Sequence, residues 1–154
     1  MPVDAMPSAE ECNCFAVRAA ARHVTQFYDQ FLAPTGLRTS QLSILAELKR
    51  KGTSTINMLA EDMVMDRTTL SRTIVPLERD GLIKIEPTAS DRRAKELSLT
   101  KAGEKRLQAA LKVWSLAQAR FDAVFGAKRG AEFRGLLRAV VASELTPGSQ
   151  LANR

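Results

Sequence analysis

Residues 55–80 read TINMLAEDMVMDRTTLSRTIVPLERD, a pattern that predicts two short helices joined by a tight turn. Thr55 and Asp66 are good N-cap residues, and each precedes a segment whose apolar positions have helical spacing. The inner face of the first helix consists of Ile56, Leu59, Ala60 and Met63. The inner face of the second consists of Leu70, Ile74 and Leu77. Two such helices in succession are typical of a helix-turn-helix.

The apolar pattern changes from helical to alternating after Gly81, where the second helix is predicted to end. Leu82–Ile85 and Leu97–Leu99 therefore predict two short antiparallel strands. Between them lies a polar, basic tip, Pro87–Arg93. A helix-turn-helix followed at once by a β-hairpin is a winged helix, and arginine at a wing tip suits the narrow, electronegative minor groove of DNA.

Further helices are predicted on both sides of the winged segment. Ser8 and Glu11 form a capping box, which predicts the start of a helix that ends before Pro34. Thr39 or Ser40 is predicted to cap the next helix, and Gly52 to end it. After the hairpin, Thr100 is predicted to cap a long helix that runs to about Phe125. A last helix is predicted over about residues 131–145.

The predicted fold is mostly α with a small β-hairpin wing. A winged helix-turn-helix at 38–100 is flanked by helices at 8–37 and 101–146, with tails at 1–7 and 147–154. Pro76 lies inside the second helix of the helix-turn-helix, where we expect local bending rather than loss of the exposed face.

Composition narrows the classes of function. The chain has 154 residues and a formal charge of +6, which makes nucleic acid or an anionic surface the first partner to test. Aromatic residues are 5% and histidine occurs once, which argues against an aromatic RNA-binding platform and a polyhistidine metal site. We find no membrane-length apolar run and no secretory signal, so we expect a cytoplasmic protein. Ser98 and Lys101 match Ser-x-x-Lys without any supporting motif, so no enzyme is predicted.

The outer face of the second helix carries small polar and cationic side chains, which suit base edges and phosphates in a major groove. An ordinary solvated helix face is the alternative interpretation. The candidate DNA-binding residues are Ser40, Thr55, Asn57, Arg67, Thr68, Thr69, Ser71, Arg72, Asp91, Arg92 and Arg93. Thr55 and Asn57 lie at a helix N-terminus, where they could contact phosphate or could only cap the helix.

Five motifs together resemble the multiple-antibiotic-resistance regulator (MarR) family of winged helix-turn-helix regulators. They are Met58–Glu61, Thr69–Arg72, Leu77–Ile83, Ser90–Arg93 and Leu99–Gly103, and the likeness extends over about residues 14–145. The resemblance implies a homodimer that binds double-stranded DNA, with the terminal helices at the dimer interface. The apolar residues available there are Phe121, Phe125, Phe133, Leu136, Leu137, Val140 and Val141. It also implies that Asp91 braces Arg93, which enters the minor groove.

The resemblance further implies a repressor that a small molecule, such as an aromatic acid, releases from DNA. The residues that could line the inducer site are Phe15, Arg18, Ala19, Arg22 and Trp114. An arginine is suited to a carboxylate. Phe15 and Trp114 could instead be ordinary core residues. A winged helix that binds proteins without specific DNA binding is a remoter alternative.

Cys14 and Tyr28 resemble part of the peroxide-sensing site of the organic-hydroperoxide-resistance regulators (OhrR), a branch of the same family. That site has two tyrosines, and the second is missing near Thr39, so the predicted triad is incomplete. A free cysteine is often just a small apolar residue. Cys12, Cys14 and His23 do not predict a metal site, because a helix directs the two thiols apart. No cofactor is predicted.

Overall fold

A computed structural model describes residues 8–145 and contains six α-helices and three β-strands in that range. The helices are α1 (Asn13–Leu32), α2 (Thr39–Lys51), α3 (Ile56–Asp62), α4 (Arg67–Arg79), α5 (Lys101–Phe125) and α6 (Ala127–Ala142). The strands are β1 (Thr53–Thr55), β2 (Ile83–Pro87) and β3 (Lys95–Leu99). The predicted class, mostly helical with a small winged hairpin, is confirmed. The two predicted tails lie outside the described residues.

The sheet is antiparallel in the order β1-β3-β2. β2 and β3 form the predicted hairpin, with Ile83 opposite Leu99 and Pro87 opposite Lys95. A third strand, β1, was not predicted; it pairs with β3, with Thr53 opposite Ser98. β1 consists of three small polar residues, so its strand character comes from pairing with β3 and not from an alternating apolar pattern.

The chain divides into two compact units, one up to Ala117 and one from Gln118 onward. The core of the first unit joins α1, α2, the helix-turn-helix, the hairpin and the start of α5. Its fully buried large residues are Leu32, Ile44, Leu45, Leu48, Leu59, Leu70, Leu77, Ile83 and Leu97. The predicted inner faces of α3 and α4 supply several of these residues, so the helical spacing identified the core-facing sides correctly.

The starts of α1 and α6 differ from the prediction. The capping box of Ser8 and Glu11 exists, but it caps a single 3-10 turn, Ala9–Glu11. α1 begins only at Asn13, because Cys12 has an extended backbone and its sulfur accepts the N–H of Phe15. α6 begins at Ala127, not near residue 131, because Gly126, at φ +99°, interrupts the helical path by itself.

The start of α2 is capped from a different helix. Arg38, and not Thr39 or Ser40, is the N-cap residue, and its N–H donates to Gln41. Asp29 of α1 accepts both the backbone N–H and the hydroxyl of Thr39, each at 2.7 Å. α1 thereby fixes where α2 begins. α4 begins at its predicted cap and continues through Pro76; local bending there stays a prediction.

The base of the wing is joined to α5 by a compact junction. The Thr100 hydroxyl donates to the Gly81 carbonyl at 2.6 Å and accepts the Gly103 N–H at 3.0 Å. The Thr100 N–H donates to the Leu82 carbonyl at 3.1 Å. Gly103 is buried so close to Leu82 that a Cβ atom on it would lie 1.9 Å from the Leu82 carbonyl oxygen. Two of the sequence motifs, Leu77–Ile83 and Leu99–Gly103, thus meet at this junction.

The second unit is held together by aromatic rings. Phe121, Phe125 and Phe133 form successive ring contacts, with centroids 5.4 and 6.0 Å apart. The guanidinium of Arg129 lies 4.4 Å from the Phe125 ring centroid. The outer side of α6 keeps large apolar residues exposed, namely Leu136, Val140 and Val141.

The turn between α3 and α4 holds a strained residue. Val64 has a φ of +50°, a left-handed conformation that costs a β-branched residue about 1–2 kcal/mol. Its side chain is 71% exposed, so it contributes little to packing. We expect Val64→Gly to raise the free energy of unfolding by about 1 kcal/mol, measured by urea denaturation. Val64→Ala is the control, because it keeps the Cβ atom and so the strain; a glycine variant no more stable than the alanine variant would contradict this account.

Candidate nucleic-acid interface

The start of α4 is fixed by its cap. Asp66 accepts the Thr69 N–H at 2.8 Å and the Thr69 hydroxyl at 2.5 Å. The hydrogen bond from the Thr69 hydroxyl, and to a lesser extent that from its N–H, lowers the pKa of Asp66 from its ordinary value. The ionised form of the cap is therefore favoured. Thr69 is therefore engaged in the cap. Among the predicted polar side chains, Thr68 and Arg72 are the more available for contact with DNA.

The outer face of α4 is exposed along its length, as predicted for a helix that reads DNA. We define the outer face as Thr68, Arg72, Val75 and Arg79, all of which are exposed. None of the ion pairs found within residues 8–145 involves Arg72. Arg79 pairs with Asp80 at 3.2 Å, and Ser71 is half-buried at the edge of the face. Of the two cations on the outer face, Arg72 is thus the more available to a base edge or a phosphate.

The wing tip is a closed hydrogen-bonded turn. The Thr88 hydroxyl donates to the Asp91 carbonyl at 2.8 Å and accepts the Asp91 N–H at 3.0 Å. The Asp91 carboxylate accepts the backbone N–H of Arg93 at 2.9 Å. Asp91 thus contacts Arg93 through the main chain, and no ion pair between their side chains is found in the described part of the chain. The Arg93 guanidinium keeps its charge available while its backbone is held.

A groove of about 430 Å³ lies between the wing and the start of the helix-turn-helix. Its lining consists of Thr55, Ile56, Asn57, Arg67, Arg93, Ala94 and Lys95. Four of the predicted residues meet here, namely Thr55, Asn57, Arg67 and Arg93. The lining contains three cations and no acidic residue, which suits a phosphodiester backbone. Thr55 also caps α3, because its hydroxyl oxygen accepts the Met58 N–H at 3.2 Å.

Lys95 was missed by the sequence analysis. It begins β3, two residues after Arg93, and it enters the groove because the hairpin folds back toward α3. The signal for it was the third basic residue in Arg92-Arg93-Ala94-Lys95. Ser40 and Arg92 are exposed but do not line the groove. Their contact with DNA stays a prediction.

Four of the five residues predicted to line an inducer site, all except Trp114, share one side of α1. Phe15, Arg18 and Arg22 are exposed, and Ala19 is partly buried between them. Within the described range, neither arginine forms an ion pair. Phe15 is 49% exposed and Trp114 is 38% exposed, so neither belongs to the core of this chain.

The two predicted redox residues are far apart in one chain. Cys14 and Tyr28 lie on α1, fourteen residues apart, which is about 21 Å along the helix axis. Tyr28 is buried, whereas Cys14 is exposed. The Tyr28 hydroxyl therefore does not reach the Cys14 sulfur of the same chain. No cluster of three or more candidate metal ligands occurs in residues 8–145, and no helix there has the length and apolarity to cross a membrane.

Comparisons with known proteins point to one family. The MarR family model matches residues 37–95, which include the helix-turn-helix and the wing. The crystal structure of the M. tuberculosis transcriptional regulator MosR in complex with DNA is 36% identical, with a TM-score of 0.74. The match covers 88% of this chain and all of that one.

Two curated relatives match a shorter part of the chain. The organic hydroperoxide resistance transcriptional regulator of Bacillus subtilis is 29% identical over 90 residues, or 58% of this chain. The transcriptional activatory protein BadR of Rhodopseudomonas palustris is 32% identical over 95 residues, or 59% of this chain. These matches span 61% and 50% of the two relatives, respectively.

Proposed function

The chain belongs to the MarR family of transcriptional regulators, and from this premise we propose that it binds a specific DNA sequence and represses transcription. Members of this family are regulators and not enzymes. The observation that carries the proposal is the groove of Arg67, Arg93 and Lys95 beside the exposed outer face of α4. The similarity to a DNA-bound regulator at 36% identity supports it.

In this proposal α4 enters the major groove and the wing enters the adjacent minor groove. Arg72 and Thr68 contact base edges, because they are exposed on the outer face and Arg72 has no intramolecular ion pair in the described residues. The groove between the wing and α3, which we call the basic groove, holds the phosphates between the two contacts through Arg67 and Lys95, while Arg93 extends into the minor groove. Phosphate contacts supply most of the affinity, and the side chains in the two grooves supply the specificity.

We propose that the active form is a homodimer. Phe133, Leu136, Leu137, Val140 and Val141 follow the i, i+3, i+4, i+7 and i+8 spacing of one face of α6. Leu136 and Val141 are 69% and 62% exposed in the single chain, a solvent-facing apolar surface that a second copy would cover. Two winged lobes would then contact half-sites about 10 base pairs apart.

A mobility-shift titration tests the proposed function. DNA from immediately upstream of the protein's own reading frame is compared with a shuffled duplex of equal length. We expect a complex that survives an excess of the shuffled competitor and weakens steeply with salt. Equal affinity for both duplexes would contradict sequence-specific binding and would favour a winged helix that binds proteins.

We further propose that a small aromatic acid releases the DNA. Arg18 and Arg22 are one turn apart on the same side of α1 as Phe15, and within residues 8–145 no acidic side chain pairs with either arginine. An aromatic carboxylate would match this combination of an exposed ring and unpaired guanidinium groups. Trp114 of α5 is the second exposed ring available to such a ligand.

A thiol sensor is the second candidate for how the DNA is released. The exposure of Cys14 on the first turn of α1 and the similarity to a hydroperoxide resistance regulator favour it. In this reaction an organic hydroperoxide transfers one oxygen to the Cys14 thiol, which becomes a sulfenic acid, and leaves as the alcohol. Because Tyr28 lies about 21 Å away along α1, any tyrosine contact to Cys14 would have to come from a second chain.

Paired cysteine variants distinguish a thiol sensor at Cys14 from release by a small aromatic acid. If Cys14 is the sensor, hydroperoxide releases DNA from the wild type and from Cys12→Ser, whereas Cys14→Ser stays bound in a mobility-shift assay. Cys12→Ser is a matched control, because serine is a good N-cap residue and can replace the sulfur that accepts the Phe15 N–H. Release of both variants, or of neither, contradicts a sensor at Cys14.

A further inference from the structure

Val75 is an exposed apolar residue in the middle of the basic outer face of α4. Its side chain is 59% exposed, and Arg72 and Arg79 lie three residues before it and four residues after it. A β-branched residue at such a position adds nothing to the core and has a lower helix propensity than alanine. The core of the protein therefore does not require valine at this position.

The position of Val75 places it on the surface that would contact DNA. Residues 68, 72, 75 and 79 recur at helical spacing, so the Val75 side chain points to the same side as Thr68 and Arg72. Val75 is seven residues beyond Thr68, which is about 10 Å along the axis, or roughly three base-pair steps. In the proposed docking, with the axis of α4 along the major groove, a duplex that Thr68 and Arg72 contact extends beneath Val75.

We propose that Val75 packs against the C5-methyl group of a thymine in the major groove, so that each half-site requires thymine at one position. This inference rests on the proposed sequence-specific DNA binding. The thymine methyl is the apolar group that base pairs present in the major groove, and the isopropyl group of valine matches it in chemistry. Removal of both groups from water favours thymine over cytosine without a hydrogen bond.

A second copy of the chain fits this surface less well than DNA does. A symmetric contact through Val75 would bring Arg72 and Arg79 of one copy against the same residues of the other. Asp80 pairs with Arg79, but in the described part of the chain no acidic residue pairs with Arg72. Like charges would therefore face each other at the centre of such an interface, whereas a duplex supplies phosphates to both arginines.

Thymine-to-uracil substitution tests the inference, because it removes only the methyl group. A preferred duplex is first selected from random-sequence DNA with the wild-type protein. Each thymine in it is then replaced singly by deoxyuridine, and affinities are measured for the wild type and Val75→Ala. We expect one thymine per half-site at which uracil weakens wild-type binding about fourfold, the factor for burying one methylene-sized group. Val75→Ala should show no such loss at that thymine.

Met58→Ala is the matched control variant. Met58 is also exposed, at 50%, but it lies on α3 outside the outer face of α4. Met58→Ala should therefore lose DNA affinity on uracil substitution to the same extent as the wild type. Both variants replace exposed residues by a strong helix former, and unchanged thermal unfolding confirms that they fold.

The outcomes distinguish a failure of the proposed sequence-specific binding from a failure of the proposed role of Val75. If selection enriches no sequence, the proposed sequence-specific binding is wrong and the role of Val75 is wrong with it. If a sequence is enriched but contains no thymine at which uracil weakens wild-type binding, only the proposed role of Val75 is overturned. The same holds if uracil weakens the DNA binding of the wild type and of Val75→Ala equally.

Discussion

Gly103→Ala should lower the free energy of unfolding by about 3 kcal/mol or more, because the new methyl group would overlap backbone atoms. The Cβ atom would lie 1.9 Å from the Leu82 carbonyl oxygen and 2.9 Å from its carbonyl carbon. Neither atom can move without displacing the start of the wing or the start of α5. The displacement would also disturb the hydrogen bonds that Thr100 makes to Gly81, Leu82 and Gly103. Urea denaturation measures the loss.

Gly135→Ala is the control for this prediction. Gly135 is also helical, but a Cβ atom there would meet nothing within 4 Å. Alanine in a helix interior is favoured over glycine by about 0.5–1 kcal/mol, so this variant should be as stable as the wild type or more stable. Similar stabilities of the two alanine variants would show that the tight approach of α5 to the wing base is not essential to the fold.

Arg93→Ala should weaken binding to the preferred duplex by more than about tenfold, within the range of about 1–3 kcal/mol for a specific contact. Arg93 lines the basic groove, and Asp91 and Thr88 hold the turn that carries it. The backbone of Arg93 is therefore held before DNA arrives, so the main chain of the turn loses little conformational entropy on binding. Titration in a mobility-shift assay at fixed salt measures the effect.

Arg138→Ala removes the same charge outside the groove and serves as the control. Arg138 is exposed on α6 and should change affinity less than Arg93, because only screened, long-range attraction is lost. An Arg93→Ala variant that binds as tightly as Arg138→Ala would contradict the role of the wing. The fold should be unaffected in both variants, since both side chains are exposed.

Local signals predicted the helix-turn-helix well. Thr55 and Asp66 cap α3 and α4 as expected, and the apolar faces that follow them are buried. A cap depends on a side chain and an N–H only a few residues apart, so it can be recognised from a short segment. The hairpin was predicted for a similar reason, since its alternation and polar tip are continuous in sequence.

The features that were missed depend on contacts between distant segments. β1 is a strand only because β3 pairs with it, more than forty residues later. The cap of α2 comes from Asp29, on the preceding helix. Lys95 joins Arg67 and Arg93 only when the hairpin folds toward α3. The candidate residues at the groove could thus be found in the sequence, but the groove that joins them could not.

A hydroxyl-radical footprint on the preferred duplex tests the central claim most directly, because it reports which sugars the protein covers along the minor groove. With the wild type, we predict two symmetric sets of protected sugars, with centres about 10 base pairs apart, and protected minor-groove positions flanking them. With Arg93→Ala at saturating protein, the flanking protection should be lost while the two central sets remain. Protection without symmetry, or a footprint that Arg93→Ala leaves unchanged, would contradict a dimer that reads DNA with α4 and the wing.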